Sequence, residues 1–483
     1  LNSIWILLPV LFPSALAVLI FLLKPKEKIR NYIMGIGITS NFFFVVFVLK
    51  YLGVREFHLF KLNEFLQIYF KVDKLGIMFA LLVSVLWIFT ALYAMEYMKH
   101  EGKEDRFFMF FSITLGVTLG IAFSGNLITL YFFYEFLTLC TFPLVIHNGS
   151  KQALKAGKKY LIYSFGGASL VLVGMILLFS LTNDLSFLPG GILSNLTNLD
   201  NEIVLVTFVV MFMGFGVKAA LVPFHSWLPS AMVAPTPVSS LLHAVAVVKS
   251  GIFALVRMCY FIFGAKAIED SGGQLIISVF IGLTILMGSF LALHQDNLKK
   301  RLAYSTISQL GYILLGIVLL NEDALIGGLL HLINHAVIKI TLFFCAGAIM
   351  YTTHKTKISE INGIGKRMPI TMWCFAISSI SLIGIPPTNG FVSKWFLAIG
   401  GLHVGKIIFP IILLVSALLT ALYLMPVVSA AFFKKGDFEE GVIKEAPLKM
   451  LIPIVSITII TILLGLFPNL VIDYLREIAQ AVL

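Results

Sequence analysis

The chain has 483 residues, 59% of them hydrophobic and only 12% charged, with 43 phenylalanines. A soluble domain carries about a quarter charged residues, so half the usual supply excludes an ordinary soluble enzyme. The formal charge of +11 does not point to nucleic acid: the basic residues lie in short loops between apolar runs, where they orient a membrane protein, and they form no patch with interleaved aromatics.

Apolar runs about 20 residues long recur along the sequence, the length that spans a bilayer. They predict an all-α polytopic membrane protein with about fourteen spans, near 4–23, 31–52, 75–95, 107–124, 126–147, 160–182, 203–222, 237–263, 274–293, 302–320, 324–350, 369–402, 407–433 and 448–472. The first run contains Ala15-Leu16-Ala17, which imitates a signal-peptidase site, yet no Lys or Arg precedes it and Lys24, Lys26, Lys28 and Arg30 follow it. That order predicts a first span with its N-terminus outside. The seventh span runs into Pro223, Pro229, Pro235 and Pro237, where a helix has to stop and restart. The run at 369–402 exceeds one straight crossing and contains Ile385-Pro386-Pro387-Thr388-Asn389-Gly390, a second break. Irregular backbone at membrane depth is tolerated only where it is buried in protein or lines a cavity.

Assigning the loops alternately to two sides gives 22 Lys or Arg on the side of Lys24 and nine on the other, span ends included. This bias predicts that the first group is cytoplasmic, that both termini are outside and that the chain resides in the inner or plasma membrane. Four of the 35 basic residues remain, Lys218, Lys249, Lys339 and Lys394, and all lie inside spans. The two interrupted helices are five spans apart, and an odd number of crossings flips the second copy, so they predict inverted repeats. The expected organisation is three N-terminal spans in 1–106, a first five-helix unit in 107–263, a second, inverted unit in 274–433, and a C-terminal helix in 434–483.

Cys140, Cys259, Cys345 and Cys374 stand singly inside apolar spans, with no Cys-x-x-Cys pair. Neither an iron–sulfur cluster nor a zinc site is expected, and no cofactor; redox chemistry, if coupled, belongs to another chain. Gly214-Phe-Gly216-Val-Lys-Ala219 matches a dinucleotide fingerprint by letter, but it lies in an apolar span with no strand before it.

The buried charges carry the functional argument. A lysine at a helix centre costs about 2.5–3.5 kcal/mol on insertion scales, so a merely stabilising role is a poor explanation. Snorkelling from a span end is the plain alternative for Lys218 and Lys394 and is harder for the mid-span Lys249 and Lys339. Glu135 is the acidic residue well inside a span, and a buried lysine nearby would give it a partner. His331, His335 and Lys339 stand at i, i+4 and i+8 and share one helix face. Two histidines so spaced can bind zinc, but no third ligand is apparent and the lysine repels a cation, so a proton-carrying row is the better reading. His243 lies six residues before Lys249 on another face, either an accessory link between relays or a packing residue. Lys218 is expected beside the negative C-terminal pole of a half-helix, and Lys394 beside the positive N-terminal pole that follows Pro386-Pro387.

Lys218-Ala-Ala-Leu-Val-Pro-Phe-His-Ser-Trp-Leu-Pro229 and Ala234-Pro-Thr-Pro-Val-Ser-Ser-Leu-Leu-His243 resemble the broken seventh helix and the following helix of antiporter-type subunits. Such subunits occur in respiratory complex I, Mrp-type sodium/proton antiporters and membrane-bound hydrogenases. His331-Leu-Ile-Asn-His335-Ala-Val-Ile-Lys339 and Pro386-Pro-Thr-Asn-Gly-Phe-Val-Ser-Lys394 resemble further signatures of the same family, and the resemblance covers roughly residues 70–430. It implies fourteen helices with inverted repeats of five. It also implies that Glu135 pairs with Lys218, that Lys249 is the eighth-helix lysine and that Lys394 is the terminal residue of the twelfth-helix site. Lysine at 394 departs from the glutamate of one complex I subunit, and no long lateral helix is expected after the last spans. The chain looks most similar to the D-type Mrp subunit.

The expected function is proton translocation, with sodium as the other candidate ion, through a midplane chain of Glu135, Lys218, Lys249, His331, His335, Lys339 and Lys394. The breaks at Pro223 and at Pro386 and Pro387 give access from the two sides. The expected partners are other membrane subunits of an Mrp-like, complex I-like or hydrogenase-like complex, together with the lipid bilayer. The chain is not expected to be an enzyme by itself. Two rivals stand beside this reading: a self-sufficient secondary transporter, favoured if the chain alone catalyses transport, and a non-pumping scaffold of a redox complex, which has no use for four buried lysines.

Overall fold

A computed structural model describes residues 3–51, 53, 55–61, 63, 66–196, 200–436 and 443–483. Leu8–Leu23 (α1), Glu27–Tyr51 (α2), Lys74–Glu101 (α3), Glu104–Ala122 (α4), Leu127–Val145 (α5) and Lys151–Thr182 (α6) are unbroken crossings. Asn201–Lys218 (α7) then gives way to an irregular stretch and the one-turn Trp227–Ser230 (α8). Thr236–Ala244 (α9), Val247–Arg257 (α10) and a π-helical turn at Met258–Phe263 together make one crossing, followed by the short Ala265–Asp270 (α11). Gly273–Leu293 (α12), Leu298–Val318 (α13) and Glu322–Thr353 (α14) come next, then the one-turn Ile364–Arg367 (α15). Pro369–Ile383 (α16) and Asn389–His403 (α17) are the two halves of the second broken helix, and Ile408–Phe433 (α18), Leu448–Leu466 (α19) and Asn469–Val482 (α20) complete the chain.

Twelve stretches among the described residues are single runs long and apolar enough to cross a membrane. The α16–α17 pair and the 21-residue α13, made more polar by Lys299, Lys300, Arg301 and Gln309, supply the two further crossings of the expected set. Polar residues punctuate the turns. Asp73, Asn126, Ser150, Asp200, Asn297 and Asn321 each cap the helix that follows by accepting a backbone N–H.

Contacts between successive turns divide the chain ends into two faces. On the face of Lys24, Lys99 pairs with Glu27 at 3.2 Å, Arg30 bonds Asp105 at 2.8 Å and contacts Glu104, and Asn297 bridges to Lys357. On the opposite face, Phe70 bridges to Ser124, Asn126 to Ser186, and Lys74 pairs with Glu477 at 2.8 Å. Each turn falls on the side that fourteen alternating crossings require.

The structure departs from the expected elements in three places. Glu56–Lys61 (β1) and Gln67–Lys71 (β2) form an antiparallel hairpin on the face opposite Lys24, a strand pair within a chain read as all-helical. The crossing expected as one helix over 237–263 is interrupted at Val245 and Ala246, where the Ala246 N–H donates to Leu241 O instead of to Leu242 O. The last expected span, 448–472, stops at Leu466, and the C-terminal region is two helices rather than one. Pro468 starts α20, which turns Ile472, Leu475, Ile478, Ala479 and Val482 inward and lies against the ends of α3 and α14 through Lys74–Glu477 and Arg476–Glu322.

The centre of the bundle is α14, which is buried almost continuously from Ala324 to Ile349. A helix with no solvent or lipid face needs close neighbours on every side. Glycines allow it: a Cβ on Gly316 would meet the Ala324 carbonyl of α14 at 2.6 Å, and one on Gly327 would meet the Leu397 nitrogen of α17 at 2.8 Å. The histidine-lysine row rides on this most enclosed element.

Candidate functional site

Lys218, Lys249, His331, His335, Lys339 and Lys394 are all at least nine-tenths buried, as is His243. Among them one direct contact joins α10 to the central α14. Lys249 Nζ on α10 lies 2.8 Å from His335 Nδ1 on α14; a protonated Lys249 donates in this contact, since an ammonium has no lone pair to accept with. The other ring nitrogen of His335, Nε2, is buried without a partner.

The row on α14 continues both ways. The His331 ring is 6.0 Å from that of His335, with Nδ1 against Ser393 Oγ at 2.8 Å and Nε2 against Gln309 Oε1 at 2.9 Å. Ser393 precedes Lys394, and the Tyr312 ring lies 5.4 Å from the His331 ring and 5.1 Å from Lys394 Nζ. One turn towards the Lys24 face from His335, Lys339 donates to Leu302 O at 3.0 Å and to Ser305 Oγ. His243 stacks on Phe343 at 4.7 Å, has no hydrogen-bond partner on either nitrogen, and lies in electrostatic reach of Lys339, Lys299 and Lys249. Because α9 ends between His243 and Lys249, a six-residue helical offset does not describe their relation.

The breaks hold their lysines differently from expectation. Lys218, the last residue of α7, donates to the Tyr134 carbonyl of α5 and sits 3.3 Å above the centre of the Tyr134 ring. Among the described residues no ion pair joins it to Glu135. One residue is about 100° of helix rotation. Tyr134 therefore faces α7, where its hydroxyl donates to Phe215 O at 3.3 Å, while Glu135 turns to the half-buried perimeter among exposed Phe132, Phe136 and Leu139. Glu135 keeps electrostatic reach to Lys218, and its Oε1 is buried without a hydrogen-bond partner. The Lys394 side chain, for its part, folds back across the break and donates to Leu382 O at 2.7 Å and Ile383 O at 2.8 Å. Its charge therefore lies at the negative C-terminal end of α16 and not, as expected, at the positive end of α17.

Sequence reasoning also undercounted the buried cations. Lys299, assigned to a loop, is 5% exposed in the first turn of α13, and donates to Ala234 O at 2.6 Å. It has electrostatic reach to Glu101, which lines a cavity of about 210 Å³ on the Lys24 face with Tyr97, His100, Tyr351 and His354. The signal was the helix cap at Asn297, which starts α13 before the Lys299-Lys300-Arg301 run. Arg257, assigned to a span end, is fully buried and forms a two-armed ion pair with Asp73 at 2.5 and 2.8 Å. That pair clamps the start of α3 to the end of α10 and stands apart from the lysine-histidine row.

The family described as NADH:quinone oxidoreductase/Mrp antiporter, TM matches residues 124–420, which hold Glu135 and every lysine and histidine of the row. The chain belongs to that family. A second description, NADH-Ubiquinone oxidoreductase (complex I), chain 5 N-terminus, matches residues 63–108, which hold β2 and α3. NADH-quinone oxidoreductase subunit N of Desulforudis audaxviator is 34% identical over 84% of this chain and 84% of its own. The A-type and D-type Na(+)/H(+) antiporter subunits of Alkalihalophilus pseudofirmus are also similar. The A-type relative is 32% identical over 98% of this chain and 62% of its own length, and the D-type relative is 26% identical over 99% and 97%. The chain thus spans less than two thirds of the A-type relative and nearly all of the D-type one. A chain in the solved Mrp complex from Dietzia sp. DQ12-45-1b superposes with a TM-score of 0.89 at 21% identity, covering 100% of this chain and 98% of that one. The fold of this antiporter-family chain is therefore that of a multi-pass membrane protein.

Proposed function

We propose that this chain translocates protons across the membrane as one component of a larger membrane complex, with sodium as the alternative coupled ion. The observation that carries the proposal is the 2.8 Å contact between Lys249 and His335. It lets a proton pass from a lysine on α10 to the histidine row on the central α14 without crossing apolar space. The names of the relatives, sodium/proton antiporter subunits and a quinone oxidoreductase subunit, support the same reading and the same kind of partner.

The relay runs in three stages. Protons reach Lys299 from the Lys24 face through the cavity lined by His100, Glu101 and His354, and pass towards Lys339 and His243. Lys249 and His335 exchange them at the centre, and His331, Ser393 and Lys394 carry them to the second break. Glu135 and Lys218 form the regulating end: movement of Lys218 from the Tyr134 carbonyl to Glu135 changes the charge felt at Lys249. A Cβ on Gly251 would lie 3.0 Å from Lys218 Cβ, so α7 and α10 touch where that change has to pass.

Residues 107–263 and 274–433 act as inverted units in this scheme. Their packing order supports it, since α4 lies on α5 and α6 on α7 in one, α12 on α13 and α14 on α16 in the other. The first broken helix begins from the face opposite Lys24 and the second from the Lys24 face. The basic bias of the loops supports a cytoplasmic Lys24 face with both termini outside, and the chain itself carries no catalytic step. The test is Lys249→Met in the assembled complex, measured as proton and sodium uptake into sealed vesicles. Methionine keeps the bulk and removes the exchangeable proton, and a fall of about a hundredfold is expected for loss of a proton-transfer group. Wild-type uptake by an intact variant complex refutes the relay.

A further inference from the structure

A cavity of about 910 Å³ opens between α2 and α3 at the Lys24 face, remote from the lysine-histidine row. We propose that this groove binds one anionic phospholipid with a hydroxylated head group, of the phosphatidylglycerol class. The polar end fits one phosphodiester. Lys28, Lys99, Lys449 and Glu27 line it, and Glu96 stands beside it, 3.0 Å from Lys99 and 3.9 Å from Lys449. Glu27 takes the other side of Lys99 at 3.2 Å. Two carboxylates thus serve Lys99 and Lys449, while Lys28 is exposed and has no ion-pair partner among the described residues. One positive charge is left over, and a net negative head group supplies its counterpart, whereas the ammonium of a zwitterionic lipid would be set among lysines.

Asn31 is the second observation. The residue lines the groove, and its Oδ1, shielded from solvent, has no hydrogen-bond donor. An acceptor so placed costs about 1–3 kcal/mol if nothing donates to it, and a head-group hydroxyl can donate. Below this level the walls turn mostly apolar, with Ile36 and Phe43 on α2 facing Ile88, Leu92 and Met95 on α3, and Thr39 and Ser40 the polar residues between. Gly35 and Ala91 keep the floor open; a Cβ on Gly35 would already stand 3.7 Å from the Met95 methyl. From Lys28 to Phe43 the helix rises about 22 Å, enough for acyl chains through a leaflet whose hydrocarbon is about 15 Å deep.

The experiment purifies the full chain in its complex and exchanges it into mixed micelles of phosphatidylglycerol and phosphatidylcholine. Native mass spectrometry then reads the lipid retained on this chain after dilution. Wild type is expected to retain phosphatidylglycerol over phosphatidylcholine at least tenfold. Lys28→Ala with Lys449→Ala is expected to remove that preference, and Gly35→Leu, which fills the floor and leaves the charges, to remove retention of either lipid. Equal retention of the two lipids by wild type overturns the proposal, as does retention unchanged in either variant. Tyr32→Cys, at the mouth of the groove, gives the remaining arm: an oxidative or maleimide cross-link to a partner protein instead of labelling by a thiol-reactive lipid would mean that protein fills the groove.

Discussion

The two broken helices place a lysine at the interruption but secure it by different means. At the first, the ammonium of Lys218 rests on a carbonyl and a ring that belong to α5, a separate helix, with Glu135 one residue further round the same helix. At the second, Lys394 is held by two carbonyls of its own broken helix, at 2.7 and 2.8 Å, and no carboxylate contacts it among the described residues. A cation held by another element moves when that element moves, or when a competing anion turns towards it. A cation seated on its own helix end is fixed by local backbone. The first break therefore has the two arrangements that a switch requires, and the second has the geometry of a fixed station.

The largest expected effect tests whether Glu135 is the competing partner. Lys218→Ala and Glu135→Gln should each lower vesicle uptake by about tenfold or more, since Lys218→Ala removes the moving charge and Glu135→Gln removes one of its two positions. If the two act as one switch, the double variant is scarcely slower than either single one. Losses that multiply in the double variant would make them independent groups, and the distinction between the two breaks would disappear. Blue-native gels of each variant check that the complex still assembles.

A smaller effect is expected at the second break from Gly384→Ala. Gly384 closes α16 with φ +90°, and a Cβ there would stand 2.9 Å from Lys394 Cδ. Alanine in a left-handed conformation costs about 1–2 kcal/mol, and the added methyl pushes the lysine off its carbonyls. Uptake should fall by about fivefold if the lower figure is lost from the transport step, and the same fall should appear in a Glu135→Gln background. Dependence on Glu135 would mean that the second station is not fixed but coupled to the first.

Much of this arrangement was legible in the sequence. Prolines marked both breaks, mid-span lysines marked themselves by their cost, and the spacing of His331, His335 and Lys339 put them on one face. Three things were not legible, for physical reasons. The partner of Lys218 is a backbone carbonyl, which every residue carries, so no side chain at 134 advertised it. The interruption at Val245 and Ala246 involves neither proline nor glycine; tertiary packing imposes it on residues whose pattern is that of an ordinary helix. Lys299 and Arg257 were counted with their neighbours at span ends, and only the packing of α13 and α10 takes them out of solvent while Lys300 stays exposed.

The smallest expected effect separates what holds Lys218 from what merely surrounds it. Tyr134 offers three groups: a carbonyl that accepts from the ammonium, a ring face 3.3 Å below it, and a hydroxyl that donates to Phe215 O at 3.3 Å. Tyr134→Phe deletes the hydroxyl alone. The lost hydrogen bond is worth about 0.5–1.5 kcal/mol of net stability, but it ties α5 to α7 in every position of the lysine, so it does not bias the switch. Uptake should stay within about twofold of wild type, because an interaction equal in both arrangements shifts no equilibrium between them. Tyr134→Leu removes the ring face as well, and a desolvated cation–π contact of about 2 kcal/mol then leaves one arrangement only. Lys218 should therefore spend more time towards Glu135, and the leucine variant should respond more to Glu135→Gln than the phenylalanine variant does. Uptake as low in Tyr134→Phe as in Lys218→Ala would mean that the hydroxyl itself carries the proton, and the resting place of Lys218 would then be part of the conducting path instead of one position of a switch.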